Sequence, residues 1–283
     1  MNFSFISLAQ RAFCATTNAM YPATASVKDD TLTVAAIAAL ACILQDVLHE
    51  GLGHGVTAWL SGAHHVTMST VALQSDIDTG WISANGTLVN LLFAAIFWLL
   101  LRRARRYRPA LFYFLVMAMA GNLFTGTGYF LFSGVTNFGD WAAVIRGLQP
   151  HWVWRLGLIV LGVVSYYASM MLVAAKLREF RGVDRSWRRI RVLSWTPYFT
   201  DGILAGVAGV LNPAGLFYVI ASALPSTLGA NAGLWALPSV IQRWPQSEPQ
   251  LSPITRSPGW IVTAAIATLL FIFMLGPGIT WTR

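Results

Sequence analysis

Long apolar runs, broken by short basic or polar stretches, dominate the chain, and within them apolarity is continuous rather than alternating. A run of about 18 or more apolar residues can cross a hydrocarbon core of roughly 30 Å. In lipid every backbone N–H and C=O must be paired, so continuous runs of this length read as helices. The pattern predicts six spanning segments. They run from near Thr31 toward Leu60, from Trp81 to Leu101, from Ala110 to Ser133, from Val153 to Ala175, from Phe199 to Ser222 with a break at Pro213, and from Trp260 to Gly278. Between the last two, Ser226 to Val240 is apolar enough to lie in the membrane or re-enter it. Residues 1–30 are weakly patterned, without the basic, apolar and small-residue order of a signal peptide, and read as a cytoplasmic or interfacial segment. The expected fold class is all-α: a polytopic membrane helix bundle of about six transmembrane helices, forming one membrane-embedded domain over 31–283.

Composition agrees. Hydrophobic residues make up 56% of the chain and charged residues 11%, against about 25% charged in a soluble domain. Two cysteines, Cys14 and Cys42, make no disulfide framework and no cysteine-type metal site. The net charge of +8 could suggest nucleic acid, but its distribution argues otherwise. Arg102, Arg103, Arg105, Arg106 and Arg108 follow the second segment, and a second group from Lys176 to Arg191 follows the fourth. Clusters of this kind report cytoplasmic loops. They predict an integral membrane protein, in a bacterial inner membrane, with both termini cytoplasmic and loops 61–80 and 134–152 facing outward. The partner they imply is the lipid bilayer, not nucleic acid.

One stretch of the first segment departs from the apolar pattern: Gln45-Asp46-Val47-Leu48-His49-Glu50-Gly51-Leu52-Gly53-His54-Gly55. Four ionisable residues lie within nine positions, Asp46, His49, Glu50 and His54. Such groups are costly at membrane depth and mark function by default. A neutral His is a good zinc ligand, and a nearby Glu can act as general base on a water beside the metal. The plainer alternative is a polar network between helices.

These residues resemble the site-2 protease family of intramembrane zinc metallopeptidases, whose signature is a His-Glu-x-x-His helix. Gly53-His54-Gly55, Ala58 and Gly62 fit the family pattern. Ser83-Ala84-Asn85-Gly86-Thr87-Leu88-Val89-Asn90 is similar to the family's Ala-Gly-Pro-x-x-Asn element, with Thr87 where Pro is usual. The resemblance covers about residues 45–101. It implies a zinc-dependent hydrolase performing intramembrane proteolysis, a membrane protein or peptide as substrate, His49 and His54 as zinc ligands, and Glu50 as the catalytic base. It also implies an Asp ligand from a later segment.

Three residues, not two, separate Glu50 from His54. In an α-helix, positions five apart lie about 140° apart around the axis, too far for one ion. A π-type turn of roughly 4.4 residues brings them back to one face, and Gly51 or Gly53 would ease it. The alternatives are a broken helix or a degenerate site.

A catalytic zinc takes three protein ligands. Asp140, after the third segment, stands at the matching outer depth. Asp201-Gly202, at the start of the fifth, matches the family's Asp-Gly dipeptide but sits beside the basic cluster. Asp140 is favoured, with Asp201 as the alternative metal ligand. Asp46, one turn before Glu50, is placed as a hydrogen-bond partner of a ligating His. Asn90 and Asn122 are placed around the site or the bound peptide, and Asn122, Thr125, Thr127 and Tyr129 form a polar strip suited to lining it. The rival readings are an inactive relative that binds partner helices, and a metal-ion or proton transporter.

Overall fold

The computed structural model describes residues 28–104, 108–181, 187–213, 215, 219–245 and 251–283. Expectations for most of the N-terminal segment, including Cys14, and for Arg105, Arg106 and Arg185 lie outside the described residues.

The described chain is helical apart from one small sheet. Helix α1 spans Thr31–Leu60 and is π-widened over Val47–Gly55. Asp30 caps it by accepting from the Thr33 N–H at 2.9 Å. A loop carrying strands β1 (His65–Met68) and β2 (Leu73–Ser75) leads to α2, Gly80–Arg103, which Thr79 caps through the Ile82 N–H. Helix α3, Pro109–Thr136, starts on a proline whose missing N–H costs nothing in a first turn. A short helix α4, Asp140–Ile145, leads into α5, His151–Leu177. Then come α6 (Trp187–Val210), π-type turns over Val219–Ala223 and Pro225–Gly229, α7 (Ala232–Gln242) and α8 (Pro258–Leu270). α8 continues as a π-type turn to Leu275, and strand β3, Ile279–Thr282, ends the chain.

Helix α3 is the hub. Tyr113, Val116, Ala118, Met119 and Phe124 are fully buried along it, and the Tyr113 hydroxyl donates to the Leu193 carbonyl at 2.7 Å. Helices α1, α2 and α5 pack around it. The outer faces of α5 and α8 expose Val160, Val164, Val262, Ile266 and Phe273, surface that suits lipid rather than water. Five helices are long and apolar enough to cross a membrane: α1, α2, α3, α5 extended to Phe180, and α8 extended to Leu275.

The structure corrects the later segments. The fifth helix begins at Trp187 rather than Phe199, so the basic residues form its first turns. Arg191 stacks against Trp187 and Trp195, and Arg189 pairs with Asp29 and two carbonyls, which makes a helical start tolerable for them. The stretch expected to lie in the membrane or re-enter it, Ser226 to Val240, runs back beside α6 as α7, bringing Ile241 and Trp244 to Arg181 at the basic end. α8 starts beside Asp30 and Thr33, and β3 pairs antiparallel with β1. The sheet order is β2-β1-β3. The last strand therefore lies with loop 61–79, at the end of the bundle opposite Thr31. The expectation that both termini are cytoplasmic concerns residues 1–27, which lie outside the described residues.

Candidate metal centre

The π-widened turn sets the site. The Val56 N–H bonds to the Gly51 carbonyl, an i→i+5 bond, and the widening takes in both Gly51 and Gly53. Five residues then make little more than one turn, and His49 and His54 return to the same side of α1. Their rings meet edge to face with centroids 4.7 Å apart. Gly53 also lets α2 approach, since a Cβ there would lie 2.5 Å from the Gly86 Cα. A Cβ on Gly86 would in turn collide with the His54 ring. Two glycines thus bring the Ser83–Asn90 segment directly against the histidines.

Hydrogen bonds orient both rings. His49 Nδ1 faces the Asn90 side-chain oxygen at 2.5 Å, and His54 Nδ1 faces the Ile82 carbonyl at 2.7 Å. The Asn90 amide is fixed from behind, because its NH₂ donates to Asn122 Oδ1 at 2.8 Å, and Asn122 donates to the Ala118 carbonyl at 2.8 Å. With oxygen acceptors at both Nδ1 atoms, a tautomer protonated there would turn each Nε2 lone pair inward.

Those lone pairs meet Asp140. Nε2 to Nε2 is 3.2 Å, His49 Nε2 to Asp140 Oδ2 is 3.3 Å, and His54 Nε2 to the same oxygen is 3.4 Å. His49, His54 and Asp140 could together hold a metal ion. A tetrahedral ion with bonds of about 2.0–2.1 Å spaces its ligands about 3.3–3.4 Å apart, so the three edges match one face of such a tetrahedron.

Asp140 is the first residue of α4, but it does not cap the helix. Its orientation comes from the preceding turn, in which Asn137 and Gly139 take φ of 56° and 83°, values that favour Asn and Gly. The neighbouring Trp141 indole donates to Thr87 Oγ1 at 3.0 Å, pinning the start of α4 to α2. Thr87 therefore has a partner at the position where proline was expected. Nothing local in the sequence links these two residues.

Glu50 is buried and lines a cavity of about 800 Å³ with His54 and Asp140. Tyr129 stacks on the His49 ring at 4.9 Å, while Thr127 bonds back to the Leu123 carbonyl. Two residues stand apart from the triad. Asp46 serves neither histidine, since both Nδ1 atoms have other partners. Asp201 stands away from the triad, buried within the bundle, where Cys42 and Asn231 donate to it. It is not held by arginines at the basic end, because α6 starts earlier than expected and carries it inward. Comparison with protein-family models, with curated proteins and with solved structures finds no match to this chain.

Proposed function

We propose that the chain is a membrane-embedded, zinc-dependent endopeptidase of the site-2 protease type, cleaving a membrane-spanning or juxtamembrane peptide. The observation that carries this reading is the triangle of His49 Nε2, His54 Nε2 and Asp140 Oδ2, with edges of 3.2 to 3.4 Å and Glu50 beside it. A zinc ion held by these three residues supplies Lewis acidity toward a carbonyl and toward water. Glu50 takes the proton of the attacking water and passes it to the leaving amine. Asn90 and the Ile82 carbonyl hold the imidazoles still while charge develops.

The cavity wall suits an unwound substrate. Leu73, Gln74 and Ser75 of β2 line it, and β2 is an edge of the sheet. An extended peptide can add its backbone to such an edge, which exposes carbonyls that a helix would hide. Phe132, Val135 and Pro225 provide apolar contacts.

A transporter reading gains one observation. Asp46 and Asp201 lie toward the basic end from the triad, so ionisable groups are not confined to one depth. Two measurements separate the readings. Purified chain should carry about one zinc, and Glu50→Gln should keep the zinc while losing cleavage of membrane peptides in detergent, followed by mass spectrometry. Full cleavage by Glu50→Gln would refute the assignment of the base; zinc flux into vesicles would favour the transporter.

A further inference from the structure

Helix α6 carries a ridge at four-residue steps: Trp187, Arg191, Trp195, Phe199, Ile203 and Val207. Rows of this spacing run along a helix with a shallow tilt. The ridge changes character along its length. At the basic end Arg191 lies between two indoles, its guanidinium carbon 4.2 Å from the Trp187 ring centre and 4.1 Å from that of Trp195. Helix α7 holds Trp195 in turn: Trp235 stacks on it at 4.3 Å, nearly parallel, and accepts its indole N–H at the backbone carbonyl. Farther along, Phe199, Ile203 and Val207 are 49%, 66% and 48% exposed. A Cβ on Gly206, beside Val207, would meet nothing within 4 Å.

Arg191 differs from the other arginines that the fold holds in place. Arg189 donates to Asp29 and two carbonyls, Arg181 to two carbonyls, and Arg155 to the Gly134 and Val135 carbonyls. Arg191 is fixed by its stacking, yet it makes no hydrogen bond or ion pair among the described residues. Ordering an arginine costs side-chain entropy. Rings on both faces leave the in-plane N–H rim as its binding edge, and that rim matches a phosphate through two parallel bonds. Arg188, three positions earlier and exposed, is also unpaired among the described residues and adds a second positive charge.

The rest of the ridge decides what carries the phosphate. By helical rise, Phe199 lies about 12 Å and Ile203 about 18 Å from Arg191. A lipid phosphate stands roughly 6 Å outside a hydrocarbon half-thickness of about 15 Å, so its acyl chain reaches both. Tryptophans favour that same boundary. A free phosphate would leave the apolar part of the ridge uncovered. No acidic side chain pairs with Arg188 or Arg191 to receive a headgroup ammonium, which favours an anionic lipid over a zwitterionic one.

We propose that the Trp187–Arg191–Trp195 stack binds the phosphate of one anionic phospholipid, whose acyl chain lies along Phe199, Ile203 and Val207. The site is separate from the triad and does not depend on the peptidase reading.

The test is native mass spectrometry of the full chain, delipidated in detergent and offered equimolar phosphatidylglycerol and phosphatidylcholine with the same acyl chains. One phosphatidylglycerol should be retained in preference to phosphatidylcholine. Arg191→Gln should weaken that retention about tenfold or more, the cost of a lost charge-assisted pair of bonds. Arg102→Gln, which removes an arginine stacked on the single indole of Trp98, should leave it unchanged. If Arg191→Gln does not fold, Arg191→Lys, which keeps the charge but not the two-pronged rim, decides by a several-fold loss. Equal retention of the two lipids overturns the proposal. So does an equal loss in Arg191→Gln and Arg102→Gln, which would report surface charge alone. Displacement of the lipid by an equal concentration of inorganic phosphate or glycerophosphoglycerol also overturns it, because the apolar ridge would then contribute nothing.

Discussion

Trp141 donates its indole N–H to the Thr87 hydroxyl across 3.0 Å, and the residue before Trp141 is the only acid of the triad. This bond holds the start of α4 against α2. Removing it should let Asp140 drift without unfolding the bundle. Thr87→Val is expected to weaken zinc binding about 10-fold to 100-fold, the usual cost of losing a group that orients a ligand. Competition against a chromogenic chelator measures it; unchanged affinity would show that Asp140 is held by other contacts.

The widened turn predicts an asymmetry between deletion and insertion. Leu52 is 41% exposed, so its removal costs little packing. Deleting it converts the i→i+5 bond between Gly51 and Val56 to i→i+4, and α-helical spacing then puts both histidines on one face. The deletion should keep zinc affinity within about tenfold. One alanine inserted after Leu52 should abolish binding, because no regular turn aligns positions six apart.

Gly86 is packed against both ligands. A Cβ there would collide with the His54 ring and lie 2.7 Å from His49 Cε1. Alanine favours a helix more than glycine does, so α2 should persist in Gly86→Ala. Zinc affinity should fall more than about 100-fold while the far-UV circular dichroism stays as it was. Loss of helicity in parallel would show a structural rather than a local effect.

Loop 61–79 has its own pH dependence. The Asp76 carboxylate accepts from the His65 and His64 backbone N–H groups at 3.1 and 3.0 Å, and these bonds, the His65 one foremost, hold its pKa below the ordinary 3.8. The folded value lies under the unfolded one. Ionised Asp76 therefore stabilises the turn at neutral pH, and the contribution fades as pH falls from about 4 through the folded value. Amide exchange of His64 and His65, corrected for intrinsic rates, should lose protection in that window. Asp76→Asn should show the reduced protection already at pH 7 and no further acid loss.

The pairing of β3 with β1 places Arg283 with the loop that follows α1. Single cysteines at Ser61 and Arg283, in a background with Cys14 and Cys42 changed to serine, should react with an impermeant reagent from the same side. A cysteine at Ala104 should react from the other. Labelling of positions 104 and 283 from one side would contradict the described topology.

Much of this was legible in the residues alone. The first four long helices fall within a few residues of where the apolar runs place them, because apolar length and a cap or a proline at the start are local properties. Gly51 and Gly53, between histidines five apart, carried the signal for a widened turn. Asn90 and Asn122 stood out as amides inside apolar runs, and both lie behind His49. The later helices were harder. Arg188, Arg189 and Arg191 read as a loop because their stabilisation comes from Trp187, Trp195 and Asp29, partners that no periodicity exposes.

The sequence by itself determined the helical character, the apolar spans and a histidine pair with an acid beside it, since each follows from residues near one another in the chain. Tertiary structure alone decided which distant acid joins the pair. Asp140 and Asp201 are comparable as isolated residues, and the choice lay in where the Asn137–Gly139 turn and the Trp141–Thr87 bond aim one side chain, and where α6 buries the other against Cys42 and Asn231. It also decided where β3 lies, beside β1 at the end of the bundle opposite Thr31. Whether α7 turns back at the surface or passes alongside α6 depends on contacts between helices, and a hydropathy pattern contains no record of them.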